Sequence, residues 1–327
     1  MISVKWDVRS FLSQHLNEVG LLVVIAILYL VFSQTANGFL SIYNQQNILR
    51  DAAAIGIAAC AATLIIVSGD IDVSVGPMVA FLSVVLAFLL HWSFPLILAV
   101  PISIICGIAL GACAGVLRAY FDVPSFVATL GLWSILRGLA LFFTNALPVS
   151  FPRSPVLDAL DGDFLGLPVA AWIMLVTVLI FAFIANKTSF GRSVYAVGGN
   201  AGAAHLAGIP VKRVRVILFA IAGLLAGVSA ILLTARLGSG NAGAATGLEF
   251  DVIAAVVIGG TALSGGKGTL LGTLLGVMVI TLIGNGLVLL GINPFFQDVI
   301  RGVIIVVAVL LNIAVARRNA RVAAGKG

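Results

Sequence analysis

Charge is what this sequence has least of. Asp, Glu, Lys and Arg make up 9% of its 327 residues, against 61% that are hydrophobic, and the mean hydropathy is +1.20. Soluble domains carry about a quarter of their residues charged, so a chain bathed mostly in water is excluded and lipid is the solvent that fits. Cysteine is scarce too. Cys60, Cys106 and Cys113 lie inside apolar stretches without zinc-type spacing, which leaves them as packing residues and excludes a disulfide scaffold. His15, His91 and His205 stand alone and build no catalytic or metal-binding cluster.

Nucleotide motifs are missing in substance. Gly238-Ser-Gly240-Asn-Ala-Gly243 satisfies G-x-G-x-x-G, but it follows an apolar span rather than a strand. Gly266-Lys267-Gly268 imitates a phosphate loop, yet Thr261 stands where its leading glycine belongs and Gly268 where its Ser or Thr belongs. The sequence therefore predicts no enzyme, no cofactor and no metal site.

What is present is a series of ten apolar windows, at about 19–35, 52–68, 73–90, 94–117, 125–145, 168–186, 214–234, 250–263, 268–290 and 295–314. A helix needs roughly 20 apolar residues to cross a bilayer, and the window at 250–263 is too short to cross alone. The fold class predicted is an all-α polytopic membrane protein of about ten transmembrane helices. The charged N-terminus precedes an apolar run without a small-residue cleavage site, which reads as a first span rather than a removable signal. With the N-terminus inside, thirteen of the 18 Lys and Arg residues, Lys5, Arg9 and Lys326 among them, fall in interior segments. Arg50, Arg153 and Arg236 fall outside, and Arg137 and Arg301 within spans. That asymmetry orients the chain N-in and C-in. It also accounts for the net charge of +6 and the pI near 9.6 without a nucleic-acid partner.

Gly107/Gly111/Gly115, Gly223/Gly227 and Gly272/Gly276 repeat at four-residue spacing, which lets helix backbones approach closely in lipid. Gly107 to Gly111 followed by Arg137-Gly138 echoes Gly272 to Gly276 followed by Arg301-Gly302. The echo supports two inverted five-helix repeats. Arg137 and Arg301 read as buried structural partners or snorkelling heads. The longest exterior segment, Ala146 to Leu167, is too short for a domain and reads as a plain loop.

Two stretches carry polarity into this apolar frame. Gly191 to Arg215 is weakly hydrophobic and rich in cations, so it emerges on the interior side. Within it Asn200 can cap a short helix over 201–207 that Gly208 and Pro210 stop. A docking element and an ordinary connector both remain open on these residues. The second stretch is Ser68-Gly-Asp-Ile-Asp-Val-Ser-Val-Gly76. Asp70 and Asp72 are costly in hydrocarbon, so the segment is either a tight turn capped by Ser74 or part of a solute path. Glu249 and Asp251 open the eighth window, where acids suit a helix N-terminus.

Five blocks in order, SGDIDVSVG (68–76), VPSFVATLGLWSILRGLAL (123–141), GRSVYAVGGNAGAAHLAGI (191–209), GLEFDVIAAVVIGGTALSGGKGTLLGT (247–273) and NGLVLLGINPFFQDVIRG (285–302), resemble permease subunits of bacterial ribose-type monosaccharide ABC importers. The resemblance covers nearly the whole chain and implies a single permease domain over 1–327 in the bacterial inner membrane. It implies a coupling segment at 191–210, with Asn200, Ala203, Ala204, Leu206 and Gly208 docking on a separate ABC ATPase subunit. It also implies a second permease subunit, identical or different, and a periplasmic sugar-binding protein. Asp70, Asp72, Ser74, Glu249 and Asp251 are the candidates for the translocation path or its gate. One departure stands out: Gly69-Asp70 replaces the two glycines usual in the family. Competing readings are a permease for branched-chain amino acids and, in another class, an ion-coupled secondary transporter.

Overall fold

Apolar runs punctuated by Gly, Pro and Asn force a helical chain, because in lipid each segment must satisfy its own backbone hydrogen bonds. The computed structural model describes residues 16–152 and 154–324 and is helical almost throughout. Lys5, Arg9, His15, Arg153 and Lys326 lie outside the described residues. In chain order the helices are α1 (Leu16–Thr35), α2 (Ile42–Val67), α3 (Val75–His91), α4 (Leu96–Tyr120), α5 (Ser125–Thr144) and α6 (Pro155–Asp161). There follow α7 (Val169–Lys187), α8 (Ser189–Gly199), α9 (Ala201–Leu206), α10 (Val211–Leu237), α11 (Leu248–Ile258), α12 (Leu270–Leu289) and α13 (Pro294–Ala324). Each of the ten apolar windows holds one helix. Among the described residues, seven helices are long and apolar enough to cross a membrane, namely α1, α2, α4, α5, α7, α10 and α12. The apolar α3 has 17 residues. The 11-residue α11 reaches about 16 Å at 1.5 Å per residue, half of a hydrocarbon core of about 30 Å.

The centre of the molecule is α2, whose residues from Ala52 to Val67 are buried almost without break. Alanines at 52–54, 58, 59, 61 and 62 keep it thin, and α7, α10, α11 and α12 all pack on it. The spaced glycines act where helices touch. A Cβ on Gly107 or Gly223 would overlap the other's carbonyl, so α4 and α10 meet backbone to backbone. Gly276 on α12 lies in the same way against Ala255 of α11.

The segment 146–167, read from the sequence as a plain loop, proves to be built. It contains α6, whose Leu157 is 2% exposed, and a hairpin of β2 (Asp163–Phe164) with β3 (Leu167–Pro168). Its β1 (Val149–Ser150) pairs antiparallel with β4 (Ser239–Gly240) just beyond α10. Arg50 of α2 binds Asp163 at 2.9 Å and reaches Asp161 at 4.0 Å, tying this cap to the start of α2. Three prolines in the segment hid this order from a loop-versus-domain reading, since short capped elements leave little periodicity.

Candidate functional site

The cationic stretch after α7 folds as two helices set on the rest of the chain. Thr188 caps α8, its hydroxyl accepting from Gly191 N at 3.1 Å, and Gly191, Val194 and Val197 form its buried stripe. The backbone of Gly198 rests on the Val67 carbonyl, leaving no room for a Cβ. Gly266 N donates to the same carbonyl at 2.8 Å, and the Tyr195 hydroxyl donates to Gly268 O at 2.7 Å. The phosphate-loop imitation is thus a turn, with Gly265 and Gly266 at positive φ, wedged under α8.

Beyond it Asn200 Oδ1 accepts from Ala203 N at 3.0 Å and starts α9, and Gly208, at φ +84°, ends it. Ala203, Leu206 and Gly208 face outward, with Leu206 89% exposed. Ala204 does not share that face. It is 5% exposed and belongs to the chain's own core, because the roughly 100° step from Ala203 turns it inward. The outward face of α9 carries Ala203, His205 and Leu206, and Ala204 anchors the helix from below.

The acids of the second polar stretch separate. Asp70 is 2% exposed, and its two oxygens are taken by Arg118 Nε at 2.6 Å and Arg215 Nε at 3.0 Å. One carboxylate therefore joins the end of α4, the start of α10 and the break between α2 and α3. Asp72 accepts from both Ser74 N (2.8 Å) and Ser74 Oγ (2.6 Å). The capping expected of Ser74 runs the other way: Ser74 makes no side-chain cap to α3, and Asp72 closes the turn. The extended residues between borrow partners from α5, Ile71 N donating to Ser125 Oγ (3.1 Å) and Val73 N to Thr129 Oγ1 (3.2 Å). Ser125 and Thr129 are one helical turn apart, which gives the 123–141 block its polar start.

At the opposite end, two arginines clamp the link between α10 and α11. Arg137 donates to Ala242 O at 2.5 Å and to Thr246 Oγ1. Arg301 pairs with Asp251 and Asp298, each at 2.6 Å. Both act as structural partners. Glu249 is 1% exposed and accepts from Trp133 Nε1 at 2.8 Å. Its other oxygen lies where a Cβ on Gly76 would be, so the glycine that opens α3 is required by this carboxylate.

Beside the clamp lies a cavity of about 690 Å³, walled by α2, α10, α11, α12 and α13 of the one chain. Each wall contributes one helical stripe: Asn44, Asn47 and Asp51 on α2, Thr281, Gly284 and Val288 on α12, Gln297 and Arg301 on α13. Arg236 binds Asp51 at 2.5 Å, and Asn44 and Asn285 exchange hydrogen bonds at 3.0 and 2.9 Å. Of the path candidates, Asp251 lines this cavity; Asp70, Asp72, Ser74 and Glu249 are engaged elsewhere. Asn44, Asn47 and Asp51 precede the second apolar window, which begins at 52, so hydropathy does not mark them. Their i, i+3, i+7 spacing, after Ser41 as a helix cap, was the available signal. Among the described residues, no group of three His, Cys, Asp or Glu could hold a metal ion.

Residues 44–309 match the family described as "Branched-chain amino acid transport system / permease component". The chain is 68% identical over 315 residues to the probable ABC transporter permease protein YphD of Escherichia coli K12, covering 96% of this chain and 95% of that one. It is 37% identical over 312 residues to the ribose import permease protein RbsC of the same strain, covering 94% and 96%. It is 35% identical over 313 residues to the L-arabinose ABC transporter permease protein AraH of Azospirillum brasilense, covering 96% and 92%. No solved structure matches the chain.

Proposed function

The chain belongs to this family of transport-system permease components, and from that premise we infer that it is the membrane subunit of an ATP-driven monosaccharide importer. The observation that carries the reading is likeness over more than nine-tenths of the chain to permeases named for ribose, L-arabinose and xylose. The family description also covers branched-chain amino acids. The sugar reading is favoured because these end-to-end relatives are named for sugars. An ion-coupled carrier would have no use for the segment at 191–210.

In this reading the chain is one permease domain in the bacterial inner membrane, crossing about ten times with both termini in the cytoplasm. It binds no nucleotide; a separate ATPase subunit supplies the energy. A periplasmic binding protein delivers the sugar, and a second permease subunit completes the path. Supporting the orientation, the segments expected inside contact one another through Asp70, Arg118, Arg215, Tyr195 and Gly268. Those expected outside meet through Arg50, Asp163, Asp51 and Arg236.

The coupling step follows from how α9 is mounted. An ATPase groove that takes up Leu206 pushes on a helix capped by Asn200, backed by Ala204 and followed closely by Arg215. Displacement then reaches Asp70, and through it the ends of α4 and α2. The switch between inward and outward access is a rigid shift of these packed helices. The test is to purify the complex with its partners and measure ATP hydrolysis with and without sugar-loaded binding protein. Stimulation by at least one of ribose, L-arabinose or xylose is expected. Stimulation by leucine or isoleucine alone would overturn the sugar reading.

A further inference from the structure

The short hairpin of β2 and β3 sorts its side chains by face. Successive strand residues point to opposite sides, so Asp163 and Pro168 lie on one face, Phe164 and Leu167 on the other. The first face is turned to the protein. Pro168 is buried, and Asp163 accepts from Arg50 Nη2 at 2.9 Å and from Gln46 Nε2 at 3.0 Å, both on α2. The second face is exposed, and the tip carries Leu165 at 79% exposure. Leu165 holds φ +53°, a left-handed conformation that strains a leucine and that Gly or Asn adopts more readily. An apolar side chain is thus held out where local backbone chemistry favours a small or polar one.

What covers this face is indicated by α7. Trp172 Nε1 donates to the Phe164 carbonyl at 3.0 Å, and the two rings meet edge to face with centroids 6.5 Å apart. From Trp172 a stripe of exposed residues runs along α7 through Val176, Leu179 and Phe183. Met174, Val178 and Phe181, on the other side of the helix, enter the core. Since α7 is long and apolar enough to cross a membrane, the exposed stripe faces hydrocarbon. The hairpin continues that surface at the end where α7 begins. Trp is enriched where a span leaves hydrocarbon for the headgroups.

We propose that this hairpin is a lipid-seated foot: Phe164, Leu165 and Leu167 sink into the headgroup boundary of the bilayer beside Trp172. Its polar face meanwhile grips the start of α2 through Asp163. A protein partner is the competing occupant, and continuity with a lipid-facing stripe favours the bilayer. The proposal goes beyond the importer reading. It needs only that α7 crosses the membrane, whatever the solute and whichever side the hairpin occupies.

To test it, Leu165→Cys, Leu179→Cys and Leu206→Cys are made singly in a protein with Cys60, Cys106 and Cys113 replaced, and each is labelled with bimane. The purified subunit is reconstituted in phosphatidylcholine vesicles whose lipids carry a nitroxide quencher near the headgroup or near the chain end. The Leu165 probe is expected to lose about half its emission or more to the headgroup-side nitroxide, as for a group seated roughly 5–10 Å deep. It should lose less to the chain-end nitroxide. Leu179, ten residues into α7 and so about 15 Å along it, should show the reverse order. Leu206, 89% exposed on α9, should respond to aqueous iodide alone. A Leu165 probe quenched by iodide and by neither lipid, as a face kept for a protein partner would be, overturns the foot. If the Leu179 probe escapes both lipid quenchers, α7 is not in lipid, and span and foot fall together. Leu165→Asn separates anchoring from folding. Its melting in detergent should equal or exceed the wild type, because Asn suits the positive φ, while a Leu167→Cys probe in the same chain loses most of its lipid quenching. Unchanged quenching there would overturn Leu165 as the anchor.

Discussion

At one end of the molecule one carboxylate, Asp70, is enclosed and shared by two arginines; at the other end the ion pairs, such as that of Asp51 with Arg236, remain partly open. The Asp70 side chain is 1% exposed, whereas Asp51 is 44% and its partner Arg236 36% exposed. The same chemistry serves two purposes. Enclosed, it fixes three chain segments against one another, because stranding either charge in a dry place is expensive. Half-open, it holds a surface polar without holding the fold together. The Asp70 end is a joint and the Asp51 end is a lining.

The comparison breaks most visibly at Asp70. Asp70→Ala leaves Arg118 and Arg215 facing each other unpaired, and removing one side of a buried pair costs about 3–5 kcal/mol. Thermal unfolding of the purified subunit should register that loss; a change under about 1 kcal/mol would mean the joint is not closed. Next comes Gly76→Ala, which drives a methyl into Glu249. Overpacking of this kind costs about 1–3 kcal/mol. Adding Glu249→Ser should return part of it, giving a double-mutant cycle that departs from additivity. Asp51→Asn tests the other side of the comparison. The pair it breaks is exposed, so stability should move by no more than about 1 kcal/mol, while the ranking of ribose, L-arabinose and xylose in uptake assays changes. The smallest effect on the fold belongs to Leu206→Arg, at a side chain that is 89% exposed. Its melting curve should overlay the wild type, yet ATP hydrolysis should no longer respond to loaded binding protein. Normal stimulation would reduce α9 to a connector.

Much of the architecture was legible because lipid makes hydropathy decisive. All ten apolar windows hold helices, and the four-residue glycine spacing marked helices that touch. The helix cap at Asn200 and the positive φ at Gly208 were legible from backbone chemistry. Three things were not. Hydropathy trims polar lead-ins, so the first ten residues of α2, including the stripe at Asn44, Asn47 and Asp51, dropped out of view. Which face of α9 points inward depends on what lies beneath it, so the core position of Ala204, expected as contact surface, is not readable from the sequence. And a short turn gives no clue to its donor. Asp72, rather than Ser74, closes the turn before α3, with Ile71 and Val73 held beside Ser125 and Thr129.

The half-length of α11 bears on how the protein is made. The helix stops at Ile258, so the turns from 259 to 269 need hydrogen-bond partners from other segments: the Val67 carbonyl for Gly266, the Tyr195 hydroxyl for Gly268. Both partners leave the ribosome first, Tyr195 by 73 residues. When the loop emerges, the surface that will satisfy it is already in place. A circular permutant that synthesised 259–269 ahead of α2 and α8 would hold bare amides near the lipid until translation caught up.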